Sequence, residues 1–251
     1  MAQLSLWLLG SFRVTLDGEP VTEFATDNAR ALLDYLSVES DRPHRRDALA
    51  GLLWPHHSRE KALRSLRQAL YQLRQAIDDH DAAELSETVG KPLVPFVLAS
   101  RHTIQFNPHS DHWLDVAAFA SLAEESRKHR HRGRGTCLRC IRCMERMVAL
   151  YQGEFLERFS AGASDLFEEW VLLKREWLHR EAMEALIHLA NHHERRGEVR
   201  LARRYARRLV EMEPWREEAH RQLMRLLALD DQRSAALAQY KACRQALAQE
   251  L

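Results

Sequence analysis

The sequence predicts a mainly helical chain with a small β component, and three observations carry that prediction. From Asp111 onward the pattern is almost purely helical, interrupted at Gly153, Gly162, Gly197, Pro214 and Asp230-Asp231. The N-terminal part instead mixes short β-prone runs with three segments of helical apolar spacing. Strands, three helices and a terminal hairpin, in that order, make a winged helix-turn-helix. The sequence therefore divides into a winged helix over residues 1–108 and a tetratricopeptide-like all-α domain over residues 109–251.

Leu4–Leu9 and Phe12–Leu16 are short apolar runs, broken by Gly10 and then by Asp17-Gly18, a turn signal that suits a hairpin. Glu19-Pro20-Val21 supplies a short third strand. Asp27–Ser37 places Ala31, Leu32, Tyr35 and Leu36 at helical spacing, with Thr26 or Asp27 as the cap. Pro43 breaks the chain, and Arg45–Trp54 forms a second helix that Pro55 stops. Ser58 then caps a long third helix. Leu93–Leu98 and Thr103–Phe106 are β-prone, with Ser100-Arg101-His102 as the tip between them.

The third helix, Arg59–Ile77, organises the N-terminal half. At about 100° per residue, Ala62, Ala69, Leu70, Leu73 and Ile77 fall within about 60° of Leu66. Lys61, Arg64, Gln68, Tyr71 and Gln75 fall on the opposite side. Arginine and glutamine carry planar forks that match guanine and adenine edges in the major groove. On an isolated amphipathic helix such a face is simply solvated. Its place between a second helix and a hairpin gives Lys61, Arg64, Gln68 and Tyr71 a reason to face DNA, and Arg101 at the hairpin tip a reason to meet the backbone. Ser65, Arg67 and Gln72 complete the candidate set on this helix.

The composition has 45% hydrophobic residues and a net charge of +1 over 251 residues, so a soluble core is expected and no global field advertises a polyanion. The basic charge is local: Arg42 to Arg74 holds eight arginines and lysines against two acids. Asp78 to Glu87 then carries five acids and no lysine or arginine, and reads as a loop. No apolar run has the length of a membrane span and no leader pattern opens the chain, which reads as cytoplasmic, without a membrane partner.

Asp115 is placed to cap a helix through Arg127. Helices are expected at Cys140–Tyr151, Leu166–Arg195, Val199–Met212, Trp215–Leu229 and Ser234–Leu251. A shift of 34 residues takes Ala185 to Ala219, Leu189 to Leu223 and Ala202 to Ala236, the period of tetratricopeptide helix pairs. Such stacks present grooves to peptides or other domains. Trp54 ends an apolar helix face and reads as core, and Trp113, Trp170, Trp177 and Trp215 read as packing anchors of the helical domain.

Three of the four cysteines crowd into Cys137–Cys143, which is no disulfide framework. Cys137 and Cys140 have the spacing of half a zinc site that His129 or His131 could complete. Against this, Cys140, Met144, Met147 and Tyr151 continue a helical apolar stripe, and free cysteine is often a small buried hydrophobe. No motif pairs a cysteine with a histidine and an orienting carboxylate, so no enzymatic constellation is present.

The segments N-A-R-A-L-L-D-Y-L, R-D-A-L-A-G-L-L-W-P and S-L-R-Q-A-L-Y-Q-L-R-Q-A-I together resemble the OmpR-type winged helix of the Streptomyces antibiotic regulatory protein (SARP) family. D-H-W-L-D-V-A-A-F and the helices after it resemble the bacterial transcriptional activator domain that follows in that family. The resemblance covers essentially the whole chain. It implies a non-enzymatic transcriptional activator that binds double-stranded promoter DNA, often at direct repeats and so as a dimer, and contacts RNA polymerase. It also puts Arg45 and Arg46, at the start of the second helix, near phosphate. Longer members carry an NTPase module, but no G-x-x-x-x-G-K-[ST] is present and Gly90-Lys91-Pro92 lacks the rest of a phosphate loop. The chain reads either as the N-terminal part of such a regulator or as a minimal activator. The rival reading is a protein-interaction scaffold whose repeats bind a peptide or protein.

Overall fold

The structure is a computed structural model that describes residues 3–79, 94–129, 137–157, 159 and 164–250. Two compact units result, one from Met1–Ala118 with Gln152–Glu176, the other from Phe119–Tyr151 with Trp177–Leu251. The first unit therefore takes in residues on the C-terminal side of the 108/109 boundary read from the sequence.

In the first unit, β1 (Leu4–Trp7), β2 (Arg13–Leu16) and β3 (Glu19–Pro20) form an antiparallel meander. Asp17 and Gly18 turn the chain between β2 and β3 with φ of 53° and 87°. Two successive positive-φ residues suit a hairpin turn whose twist matches its strands, and glycine reaches that region without a Cβ penalty. β7 (His112–Leu114) adds to β1 in parallel, Leu6 facing Leu114, to give the order β3-β2-β1-β7. Leu4 and Leu6 are fully buried.

Helix α1 (Asp27–Val38) starts at Thr26, whose hydroxyl accepts from the Ala29 N–H. α2 (Arg46–Leu53) follows β4 (His44–Arg45), so the helix expected from Arg45 begins one residue later and Arg45 itself is in a strand. α3 (Arg59–Ala76) is capped by the Ser58 hydroxyl and ends one residue before the expected Ile77. Its apolar stripe is the expected one: Ala62, Leu66, Ala69, Leu70, Leu73 and Ile77 are all buried. β5 (Val97–Ala99) and β6 (Thr103–Phe106) form the hairpin, and β4 closes a three-stranded sheet in the order β4-β6-β5. The strands, three helices and hairpin of a winged helix-turn-helix are thus present among the described residues.

Residues 152–176 pack with this unit. Leu9 bridges Phe155, and Leu156 N–H donates to the Leu8 carbonyl. Gly10, at φ 103°, lies so close to Gly153 that an added Cβ would sit 3.2 Å from its nitrogen. Asp115, the first residue of α4 (Asp115–Lys128), accepts from the Leu8 and Leu9 N–H groups as well as from Val116. It is thus a tie to the N-terminal strand rather than only the expected cap. Trp170 packs on Tyr35, Phe155 and Phe167, and its indole N–H donates to Glu39.

The second unit comprises the rest of α4, α5 (Leu138–Leu150), the rest of α6 (Asp165–Arg195), α7 (Val199–Met212), α8 (Glu217–Leu229) and α9 (Arg233–Glu250). Ala202, Ala206, Leu223, Leu226 and Leu227 form a core on which Ala235 and Ala236 pack. Of the pairs related by 34 residues, Ala202 therefore lies in this core and Ala236 packs against it. The tryptophans correct the expectation of helical-domain anchors: Trp215 is 50% exposed, while Trp113 packs on Trp7 and Trp170 on Tyr35 in the first unit. No helix among the described residues is long and apolar enough to cross a membrane.

Candidate nucleic-acid interface

Eighteen residues in α3 make a rod about 27 Å long at about 1.5 Å per residue. With its apolar side covered, Lys61, Arg64, Arg67, Gln68, Tyr71 and Gln75 are all exposed. Tyr71 shows 61% of its surface and so contributes little to the core. Ser65 and Gln72 are half-buried on the flank, and Gln72 accepts a hydrogen bond from the Thr26 hydroxyl at 2.8 Å. Gln72 therefore fastens α3 to the cap of α1. Arg64 lies 3.3 Å from Glu60 one turn earlier, an exposed pair that holds it only weakly.

The hairpin is fixed to this helix through charged groups. The Asp79 carboxylate accepts from the Phe96 and Val97 N–H groups at 2.6 and 3.0 Å. Arg74, in the last turn of α3, donates to the Val97 carbonyl. At the tip, Ser100 Oγ accepts from the His102 and Thr103 N–H groups, leaving Arg101 exposed at the apex. Arg46 donates its Nε proton to the Ser100 carbonyl at 2.9 Å, and its backbone N–H donates to His102. So Arg46 binds the start of α2 to the hairpin turn.

These ties gather Arg45, Arg46, Arg59, Arg67 and Arg101 around one open hollow, with His102, Leu63 and a single carboxylate, Asp47. Asp47 sits 2.9 Å from Arg59 and 3.9 Å from Arg45. Burial, and then the cations of Arg74 and Arg67, push the Arg46 pKa below the usual guanidinium range. Positive charge is thus concentrated beyond what the protein neutralises, the condition for holding phosphate. Of the residues read from the sequence as candidates, Arg45, Arg46, Arg67 and Arg101 line this hollow, and Lys61, Arg64, Gln68 and Tyr71 lie on the exposed face of α3. Arg59 and His102 join the hollow and were not among the expected residues. Their signal was their place, Arg59 in the basic run and His102 in the hairpin tip.

In the other unit, His129, Cys137 and Cys140 come together, their donor atoms all within 4.8 Å of one another. His131 lies outside the described residues. The Cys137 pKa is lowered, first by the Cys140 backbone N–H, whereas burial raises that of Cys140.

Comparison with known proteins bears on both units. The family described as bacterial transcriptional activator domain matches residues 114–251. The chain belongs to that family. The match agrees with the SARP-type resemblance read from the sequence, in which this domain follows the winged helix. Comparison with curated proteins gives no match. Among solved structures, the fold is similar to that of Mycobacterium tuberculosis EmbR, solved in complex with a low-affinity phosphopeptide. The TM-score is 0.66 at 22% identity, over 100% of this chain and 61% of the EmbR chain. Both the winged helix and the helical domain of this SARP-type chain thus have a counterpart in one solved fold.

Proposed function

We propose that this regulator binds double-stranded promoter DNA and activates transcription. The exposed ridge of α3, with Lys61, Arg64, Gln68 and Tyr71, lies in the major groove, whose width of about 12 Å admits one helix. Arg45, Arg46, Arg59, Arg67 and Arg101 hold phosphates on either side of it and set the register. The helical unit contacts RNA polymerase, and two chains occupy direct repeats as a dimer. No catalytic step is assigned to the chain. The observation that carries this reading is the hollow in which five arginines surround one carboxylate, beside the exposed face of α3.

The test is fluorescence anisotropy of the full chain on a pool of promoter duplexes over a range of salt. Binding should weaken linearly on a log–log plot, with a slope of about −0.9 per phosphate neutralised. Four or five contacts from the hollow give a slope near −4, by that same rule. A protein-interaction scaffold would show no such duplex affinity, and that result would overturn the reading.

A further inference from the structure

Neither DNA contact nor helix-pair stacking uses the His129, Cys137 and Cys140 group. His129 follows directly on the last residue of α4, and its N–H donates to the Glu125 carbonyl. Cys137 is the residue before α5, with no side-chain capping bond, and Cys140 lies in the first turn. Three residues apart near a helix start, the two thiols reach the same side. Arg139 and Glu125, 2.7 Å apart, hold the end of α4 beside the start of α5.

The imidazole Nδ1 lies 3.5 Å from Cys137 Sγ and 3.6 Å from Cys140 Sγ. Zinc binds thiolate at about 2.3 Å and imidazole at about 2.0–2.1 Å, and a tetrahedral angle then separates sulfur from nitrogen by about 3.5 Å. Both observed distances have that value. We propose that His129, Cys137 and Cys140 bind one zinc ion, which fastens the end of α4 to the start of α5. Two thiolates and an imidazole suit zinc and exclude the oxygen-seeking magnesium and calcium. On binding, the two thiols lose their protons to solvent, and the thiolates balance the charge of the ion. Three donors among the described residues leave one coordination position, which water fills.

The apolar-stripe alternative accounts for Cys140, buried with Met144 and Met147. It does not account for Cys137, which is half-exposed and still meets the imidazole. Cys143 and Cys243 provide the contrast: both are buried, and neither joins a group of three donors among the described residues.

The experiment uses the full chain purified under reducing conditions without chelator. Elemental analysis should give one zinc per chain. Stripping the metal and titrating with cobalt(II) should then produce a thiolate-to-cobalt charge-transfer band and the strong visible bands of a tetrahedral site. Cys137→Ser and His129→Gln change half-exposed side chains, so the fold should persist by circular dichroism. Each should weaken cobalt binding by more than the roughly 10–100-fold that loss of a mere supporting partner costs. Cys243→Ala should keep the band. A metal-free protein that gives no charge-transfer band with cobalt would overturn the proposal, as would a band that survives Cys137→Ser unchanged.

Discussion

Replacing Asp34 by asparagine should abolish a pH dependence that the winged-helix unit carries in its core. Asp34, on α1, is fully buried, and neither carboxylate oxygen has a hydrogen bond among the described residues. Its nearest cation is Arg30, 3.8 Å away, whose guanidinium lies over the Phe12 and Phe159 rings. Burial pushes the Asp34 pKa from 3.8 up to about 8, and Arg30 offsets only part of this. The sign follows from which state holds the proton. Between pH 3.8 and about 8 the folded protein keeps it and the unfolded chain releases it. Stability is therefore largest at low pH and falls as pH rises through that window, by about 1.4 kcal/mol per unit. From pH 5 to pH 7 the loss is on the order of 3 kcal/mol.

Asparagine has nearly the same shape and does not titrate, so its own burial cost is the same at both pH values. Urea denaturation of both proteins at pH 5 and pH 7 isolates the effect, because every other titrating group is shared and cancels. Relative to the native protein, Asp34→Asn should gain about 3 kcal/mol between the two conditions. Parallel profiles for the two proteins would refute the claim that a protonated carboxyl is buried in this core.

Other consequences concern the surface proposed to face DNA. Arg101→Ala should weaken binding to all sequences and flatten the salt slope by about one unit, read from anisotropy titrations. Arg64→Ala should instead reduce the ratio of specific to non-specific affinity, by about 1–3 kcal/mol if it reads a base. Glu60→Gln should raise affinity for every duplex, since it releases Arg64 and removes a negative charge from the reading face; an unchanged Kd would show that the pair does not matter. Thr26→Ala should cost about 1 kcal/mol or more in urea denaturation, because it removes a helix cap and the hydrogen bond to Gln72. Its salt slope should not move.

What the sequence made legible was local. The stripe of α3 and its Ser58 cap follow from helical period and capping chemistry, which act within a few residues. The Asp17-Gly18 turn is likewise a property of two adjacent residues. β7 was missed because His112–Leu114 runs straight into a helix and pairs in parallel with β1, a hundred residues away in the chain, to which no local pattern points. β4 is only two residues long and was absorbed into the helix after it. In the interface, residue types were legible but their division of labour was not. Gln72 looks like an amide for adenine until Thr26 is seen beside it. Arg46 looks like a free phosphate ligand until its Nε proton is found on the Ser100 carbonyl, which leaves its terminal guanidinium protons for phosphate.

The same distinction governs where the winged-helix half can be cut. Every residue proposed to touch DNA lies within residues 1–108, so contact surface alone would make that fragment sufficient. Its supports lie beyond it. Without residues 109–251, β1 loses its parallel partner β7, and the Leu8 and Leu9 N–H groups lose the Asp115 carboxylate. Tyr35 loses Trp170, and Glu39 loses both the indole N–H and the Lys174 ammonium at 2.7 Å. Buried backbone donors left without acceptors cost about 1–3 kcal/mol each, and small domains have little stability in reserve. We therefore expect the 1–108 fragment to unfold at much lower urea than the corresponding part of the full chain. Its duplex affinity should fall in proportion to its unfolded fraction, while its salt slope stays that of the full chain. The slope depends on which phosphates are touched, whereas the affinity also depends on how often the surface is assembled. A fragment as stable as the intact unit would show that β7, Asp115 and Trp170 add nothing to the stability of the winged helix. A fragment with full stability and no duplex affinity would instead move the binding surface out of the arginine hollow.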